Sequence, residues 1–174
     1  MKITDLQSNE YPAYAEIYVS QVDTTWTLVE ELEVSVHNLI RFVQDIPIDK
    51  HDYRYAEGKW TIKDILQHLI DAERVFAYRA LRFSRNDATE LPGYDQDLYV
   101  DNAYANKRHM KDLLTELSTV RHSTMQLFGS FSEEQLLKRG MASGYNVSVR
   151  ALGFMIIGHQ NHHMKVFRER YLDN

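Results

Sequence analysis

The sequence predicts an all-α, four-helix up-down bundle, and three observations carry that prediction. Glycine and proline are scarce, seven and three in 174 residues, so the chain has few places to turn and favours long helices over many short strands. Apolar residues recur at alternating three-and-four spacing through four long segments. The length suits one core, so residues 1–174 are read as a single domain.

The first helix falls in the breaker-free stretch between Pro12 and Pro47, where Ile17, Val22, Leu28, Leu32, Val36, Leu39 and Val43 keep roughly helical spacing. Pro47 and the polar segment through Gly58 make the first connection. Thr61 with Asp64 forms a capping-box pattern that opens a second helix running to about Arg85, with Ile62, Ile65, Leu66, Leu69, Ala72, Val75 and Phe76 on its apolar face. Asn86 to Asp97, containing Pro92-Gly93, breaks it. A third helix spans Ala103 to Phe128, with Met110, Leu113, Leu114, Leu117 and Val120 inward, and stops at Gly129. Ser132 and Gln135 match a second capping box for a short extra turn, and Gly140 and Gly144 bracket an irregular loop. The fourth helix extends from Ser148 to about Tyr171, and Val149, Leu152, Ile156, His159, His163 and Val166 share its core-facing seam.

Composition removes several functions. A formal charge of −5 with no basic cluster disfavours a nucleic-acid partner, because duplex binding depends on Lys and Arg neutralising phosphates. No run of about 18 apolar residues offers a membrane span. The absence of cysteine eliminates disulfides, thiolate ligands and a cysteine nucleophile together, so any metal must be held by His, Asp or Glu. Met1 to Tyr14 lacks the apolar run of a signal peptide, and a cytoplasmic location is expected.

Two histidines on an aliphatic seam each need a buried partner, which is the reason to look for chemistry there. Residues four apart on a helix point about 40° apart with Cβ atoms roughly 6 Å from each other, so His159 and His163 can aim both imidazoles at one point. His162 drifts off their seam and ranks below them. His68, three after Ile65 and four before Ala72, faces inward on the second helix and can complete a set of three. Three imidazoles leave one or more coordination positions open, as catalytic sites do. They suit a divalent transition metal such as zinc, nickel, copper or iron, with no softer ligand to choose among them; zinc or nickel is the expectation. The competing reading is of hydrogen-bonded histidines at the core boundary or the surface. Asp64 is better explained as a cap than as a fourth ligand, and Asp71, Glu73 and Arg74 read as a solvated helix face. Tyr78, Tyr94 or Tyr99 can line a pocket; no catalytic or cofactor-binding residue stands out.

Trp60-Thr61, Lys63-Asp64, His68-Leu69 and Glu73, followed by Gly158-His159 and His162-His163, resemble the signature of the DinB/YfiT-like family of four-helix metal proteins. Phe76 to Phe83, Leu91 to Asp95 and Glu169 to Leu172 extend the likeness over most of the chain. The resemblance implies an up-down bundle with a long connection, a metal on His68, His159 and His163, and a homodimer. It also implies a metal-dependent hydrolase of small molecules, or a transferase of low-molecular-weight thiols such as bacillithiol or mycothiol. A metal-binding or dimeric interaction module without turnover is the alternative. Gln160 stands where the family more often has an acidic residue, a departure that counts against a base role or a role supporting the ligands there.

Overall fold

The computed structural model describes residues 1–172 and consists of helices α1 (Glu16–Val19), α2 (Leu28–Gln44), α3 (Ile62–Ser84), α4 (Gln96–Ala103), α5 (Met110–Gly129), α6 (Glu133–Leu137), a hairpin of β1 (Arg139–Ala142) and β2 (Tyr145–Ser148), and α7 (Val149–Val166). The last helix continues as a wider π-type turn through Leu172. Helices α2, α3, α5 and α7 form the four-helix bundle. None of the described helices is long and apolar enough to cross a membrane.

The order of packing is not the order of the chain. Both α2 and α3 pack against α5 and α7, so the consecutive helices α2 and α3 face each other diagonally. Residues at one end of the bundle, including Leu32, Phe83, Phe128 and Leu152, form one apolar cluster. The other end gathers Leu39, Leu66, Leu113 and Phe167. The start of α2 and of α7 lies in the first cluster, and the start of α3 and of α5 in the second. Thus α2 and α7 run one way while α3 and α5 run the other. The long connection expected from the family likeness is the α3-to-α5 crossover through α4, which returns the chain along the bundle.

Between the two clusters lies a polar layer. Ser35, His68, Glu73, Arg121, His159 and Gln160 are all buried there, one or two from each bundle helix. Arg121 donates through Nε and Nη2 to both carboxylate oxygens of Glu73 at 2.9 and 3.0 Å. Its Nη1 donates to the Leu32 carbonyl and Ser35 Oγ at 2.8 and 2.9 Å, and Nη2 also reaches Gln160 Oε1 at 3.0 Å. Glu73 is therefore not on a solvated face. It occupies the apolar seam of α3 between Leu69 and Phe76, where burial is made affordable by a bidentate partner.

Several boundaries differ from the sequence reading. The first predicted helix is two: α1 ends before a turn in which Asp23 accepts from the Thr25 amide, and α2 begins only after Thr27, whose capping box with Glu30 marks a new start. Clustered threonines favour such local side-chain bonds over helix. The third predicted helix begins late, at Met110, because Tyr104 adopts a left-handed conformation with φ 53° that closes α4. The presumed loop from Gly140 to Gly144 is part of the hairpin. Its tip, Ser143-Gly144, has φ 54° and 79°, the positive pair that matches the twist of a two-residue turn. By contrast α3 starts where expected, with Thr61 Oγ1 accepting from the Asp64 amide at 3.1 Å and Asp64 accepting from Thr61 at 3.0 Å. Ser132 caps α6 in the same way.

Candidate metal centre

The three histidines selected by spacing come together from α3 and α7. His159 Nε2 lies 3.0 Å from His68 Nε2 and 3.1 Å from His163 Nε2. Among the described residues these three form the only group of three or more His, Cys, Asp or Glu whose donor atoms lie within 4.8 Å of one another. The convergence follows from local sequence. Four-residue spacing puts His159 and His163 on one face of α7, and the antiparallel packing of α3 on α7 brings His68 opposite them.

Close approach of α1 completes the setting. Gly158 has no side chain to hold α1 away, and a Cβ there would collide with the Tyr18 carbonyl. The Tyr18 ring consequently stands edge-on to His159 at 5.1 Å between centroids. Trp60 covers His68 at 4.9 Å, and Phe76 lies 6.4 Å from His159. His162 lies against both Tyr18 and His163, at 5.4 and 5.3 Å between ring centroids, with its Nδ1 at 3.5 Å from Gln21 Nε2, and is not among the converging donors. Asp64 is fully engaged as a cap and by Asn106 Nδ2 at 2.9 Å, so it offers nothing to an ion.

Burial holds all three imidazoles neutral. It pushes His68 down to about 4 and His163 to about 3, and it lowers His159 as well, with the neighbouring histidines adding to the effect. Neutral rings keep the lone pairs that a metal requires. The donor set fits a divalent ion on two further counts. Nitrogens sharing one ion at bonds of about 2.0–2.1 Å sit roughly 3.0–3.4 Å apart; two of the three pairs, at 3.0 and 3.1 Å, match that spacing, and all three donors lie within 4.8 Å of one another. Without an ion, His159 Nε2 faces two equivalent nitrogens, an arrangement in which hydrogen bonding alone cannot give each ring its own partner.

Two cavities large enough for a small molecule reach the cluster. One, of about 180 Å³, is lined by His68 and His159 together with Tyr14, Tyr18, Arg79 and Tyr94. The other, of about 280 Å³, meets His163 from the side of Trp60, Asp97 and Tyr171. Of the tyrosines named from sequence, Tyr94 lines the first cavity, Tyr99 borders a separate surface hollow, and Tyr78 is half exposed. A larger groove of about 600 Å³ between α2 and α5 contains none of the three histidines and has no comparable chemistry.

Behind His159, Gln160 donates to the Ser35 carbonyl at 2.8 Å while accepting from Arg121. An ionised carboxylate only accepts and could not donate to the Ser35 carbonyl, so the amide suits this position. The sequence reading put Glu73 on a solvated face and passed over Arg121, yet each interrupts a seam: Leu69, Glu73, Phe76 on α3 and Leu117, Arg121, Thr124, Phe128 on α5. A charged residue in register with apolar ones was the available signal.

Residues 31–167 match the family model of the DinB superfamily. Among solved structures, YfiT from Bacillus subtilis, described as a probable metal-dependent hydrolase with an unusual four-helix bundle topology, is similar at a TM-score of 0.70. The two share 17% identity over 81% of this chain and 84% of that chain, a likeness of fold. No curated protein matches the sequence.

Proposed function

The chain belongs to the DinB superfamily, and from that premise we propose that it is a metal-dependent enzyme acting on a small molecule, with one divalent ion held by His68, His159 and His163. The observation that carries this reading is the contact of three neutral, buried imidazole nitrogens at 3.0 and 3.1 Å beside a cavity. Zinc or nickel suits the all-imidazole set. Hydrolysis is the first reading, in keeping with the description of YfiT.

When bound, the ion would supply a Lewis acid and lower the pKa of a water or thiol at its open position. The protein's own part is to keep the three rings neutral, fix their direction and exclude bulk water. Trp60, Tyr18 and Phe76 wall the histidines on the open side. The Arg121 network anchors α7 from behind through Gln160, the residue next to His159.

Transfer of a low-molecular-weight thiol is the second reading. It is favoured by the two cavities that approach the cluster from His68–His159 and from His163, a layout suited to two reactants. The cysteine-free chain would take its sulfur nucleophile from the bound thiol. Apo, zinc-loaded and nickel-loaded protein assayed on ester, amide and electrophilic substrates, with and without bacillithiol, separates the readings. Metal-dependent turnover without thiol supports the hydrolase, and turnover only with thiol supports the transferase. Stoichiometric metal binding with no turnover in any arm supports a binding module. His159→Ala and His163→Ala each abolish metal binding, whereas His162→Ala retains it; full metal content in either of the first two overturns the assignment.

A further inference from the structure

Among the described residues three arginines are buried, and two of them have a carboxylate. Arg121 pairs with Glu73 and Arg150 with Glu10. The third, Arg79, is 6% exposed and pairs with no acidic group among the described residues. Its Nη2 donates to the Pro92 carbonyl at 3.0 Å and to Ser143 Oγ at 2.8 Å. Among the described residues the three N–H groups on Nε and Nη1 have no acceptor, yet none is sealed away from solvent. The charged or titratable groups acting on it are the hydroxyls of Tyr94 and Tyr14, which are neutral at physiological pH.

A buried cation without a counter-charge is unfavourable, so its setting calls for an account. The fold goes to some trouble to hold this one in place. The hairpin tip at Ser143 and the Pro92-Gly93 segment both grip the same guanidinium nitrogen, and the hairpin is tied to that segment by backbone bonds between Leu91 and residues 141 and 143. Arg79 also shares its side of α3 with His68: eleven residues make three turns plus about 20°. Long helical side chains lean toward the helix N-terminus, the direction in which His68 lies along α3. Both residues line the same cavity of about 180 Å³.

We propose that this cavity takes a small carboxylate-bearing ligand, its anionic end on Arg79 and its other end at the histidine cluster. This deepens the metal-dependent reading and rests on it for the second contact only. The cavity is smaller than those that enclose drug-sized molecules, which limits the ligand to a compact one. One guanidinium balances the single charge of a carboxylate, whereas a phosphate dianion would leave excess charge buried. The free N–H groups supply charge-assisted hydrogen bonds, and Tyr14 and Tyr94 line the same space.

Two measurements test the proposal separately from the metal. In the first, the Arg79 Nε–Hε resonance of metal-free ¹⁵N-labelled protein, assigned by its absence in Arg79→Lys, is followed while propionate is added, with propanol and chloride as controls. A saturable shift with propionate alone is expected; equal or absent shifts overturn the proposal. In the second, cobalt-loaded protein is titrated with mercaptoalkanoates of two to five methylenes and with the matching mercaptoalkanols, read by thiolate-to-cobalt charge-transfer absorption. The best acid is expected to bind about tenfold more tightly than its alcohol, the gain of a hydrogen bond to a charged group. That preference should disappear in Arg79→Met while the alcohol binds as before. A preference that persists in a folded Arg79→Met protein overturns the proposal. Loss of the absorption band with every thiol refutes the metal reading instead, and the propionate titration still decides the role of Arg79.

Discussion

Arg121→Met removes the cation at the centre of the polar layer while keeping a side chain of similar length. Glu73 would then hold a buried carboxylate with no counter-charge, and the Leu32 carbonyl, Ser35 Oγ and Gln160 Oε1 would each lose a donor. Breaking a buried pair from one side costs about 3–5 kcal/mol, a large part of the roughly 5–15 kcal/mol that stabilises a typical domain. Urea unfolding followed by circular dichroism in the presence of EDTA isolates this effect from metal binding. With a slope of about 2 kcal/mol/M, a loss of about 4 kcal/mol lowers the midpoint by about 2 M. Adding Glu73→Leu removes the stranded charge, and the double variant should recover about 2 kcal/mol or more. A loss under about 1 kcal/mol in Arg121→Met, or a double variant no more stable than the single one, would refute the reasoning.

Other variants probe the close contacts and the charges. Gly158→Ala forces α1 away from α7, because its methyl collides with Tyr18 backbone; a destabilisation of about 1–3 kcal/mol and a weaker metal affinity are expected, and thermal melts with and without zinc check both. Acid should weaken the fold through Glu10. Burial raises its pKa, but hydrogen bonds from Arg150 and Ser148 outweigh this and hold it at about 2, below its ordinary 4.5. Its stabilising effect is therefore complete above about pH 4.5 and lost as pH falls toward 2, contributing a slope of at most about 1.4 kcal/mol per pH unit. Glu10→Gln should flatten the stability profile across that window, as measured by urea midpoints at each pH. Zinc at about 100 times its dissociation constant should stabilise the wild type by about 2.7 kcal/mol and leave His163→Ala unchanged.

Spacing made much of this molecule legible. The Thr61–Asp64 box located α3 to within a residue, and the seam through Leu152, Ile156, His159 and His163 placed both α7 histidines inside. What spacing could not reveal was which helices touch. The crossover through α4 makes α3 and α5 run together, a consequence of long-range packing rather than of any local preference. The same limitation hid Glu73: only its partner on α5 distinguishes a buried carboxylate from a solvated one. Ser143-Gly144 was read as loop because two residues with positive φ carry little signal without the strands they join. Arg79 was concealed further still, since its setting is built from α3, the Pro92 segment and the hairpin tip.

The central claim is that three imidazoles from two helices share one ion. X-ray absorption spectroscopy of protein loaded with one equivalent of zinc tests it directly. Three nitrogen scatterers at about 2.0–2.1 Å with imidazole outer-shell features are expected, plus one or more oxygen scatterers at the open position, falling to two imidazoles in His68→Ala. A wild-type spectrum with fewer than three imidazoles, or one unchanged by His68→Ala, would contradict the account.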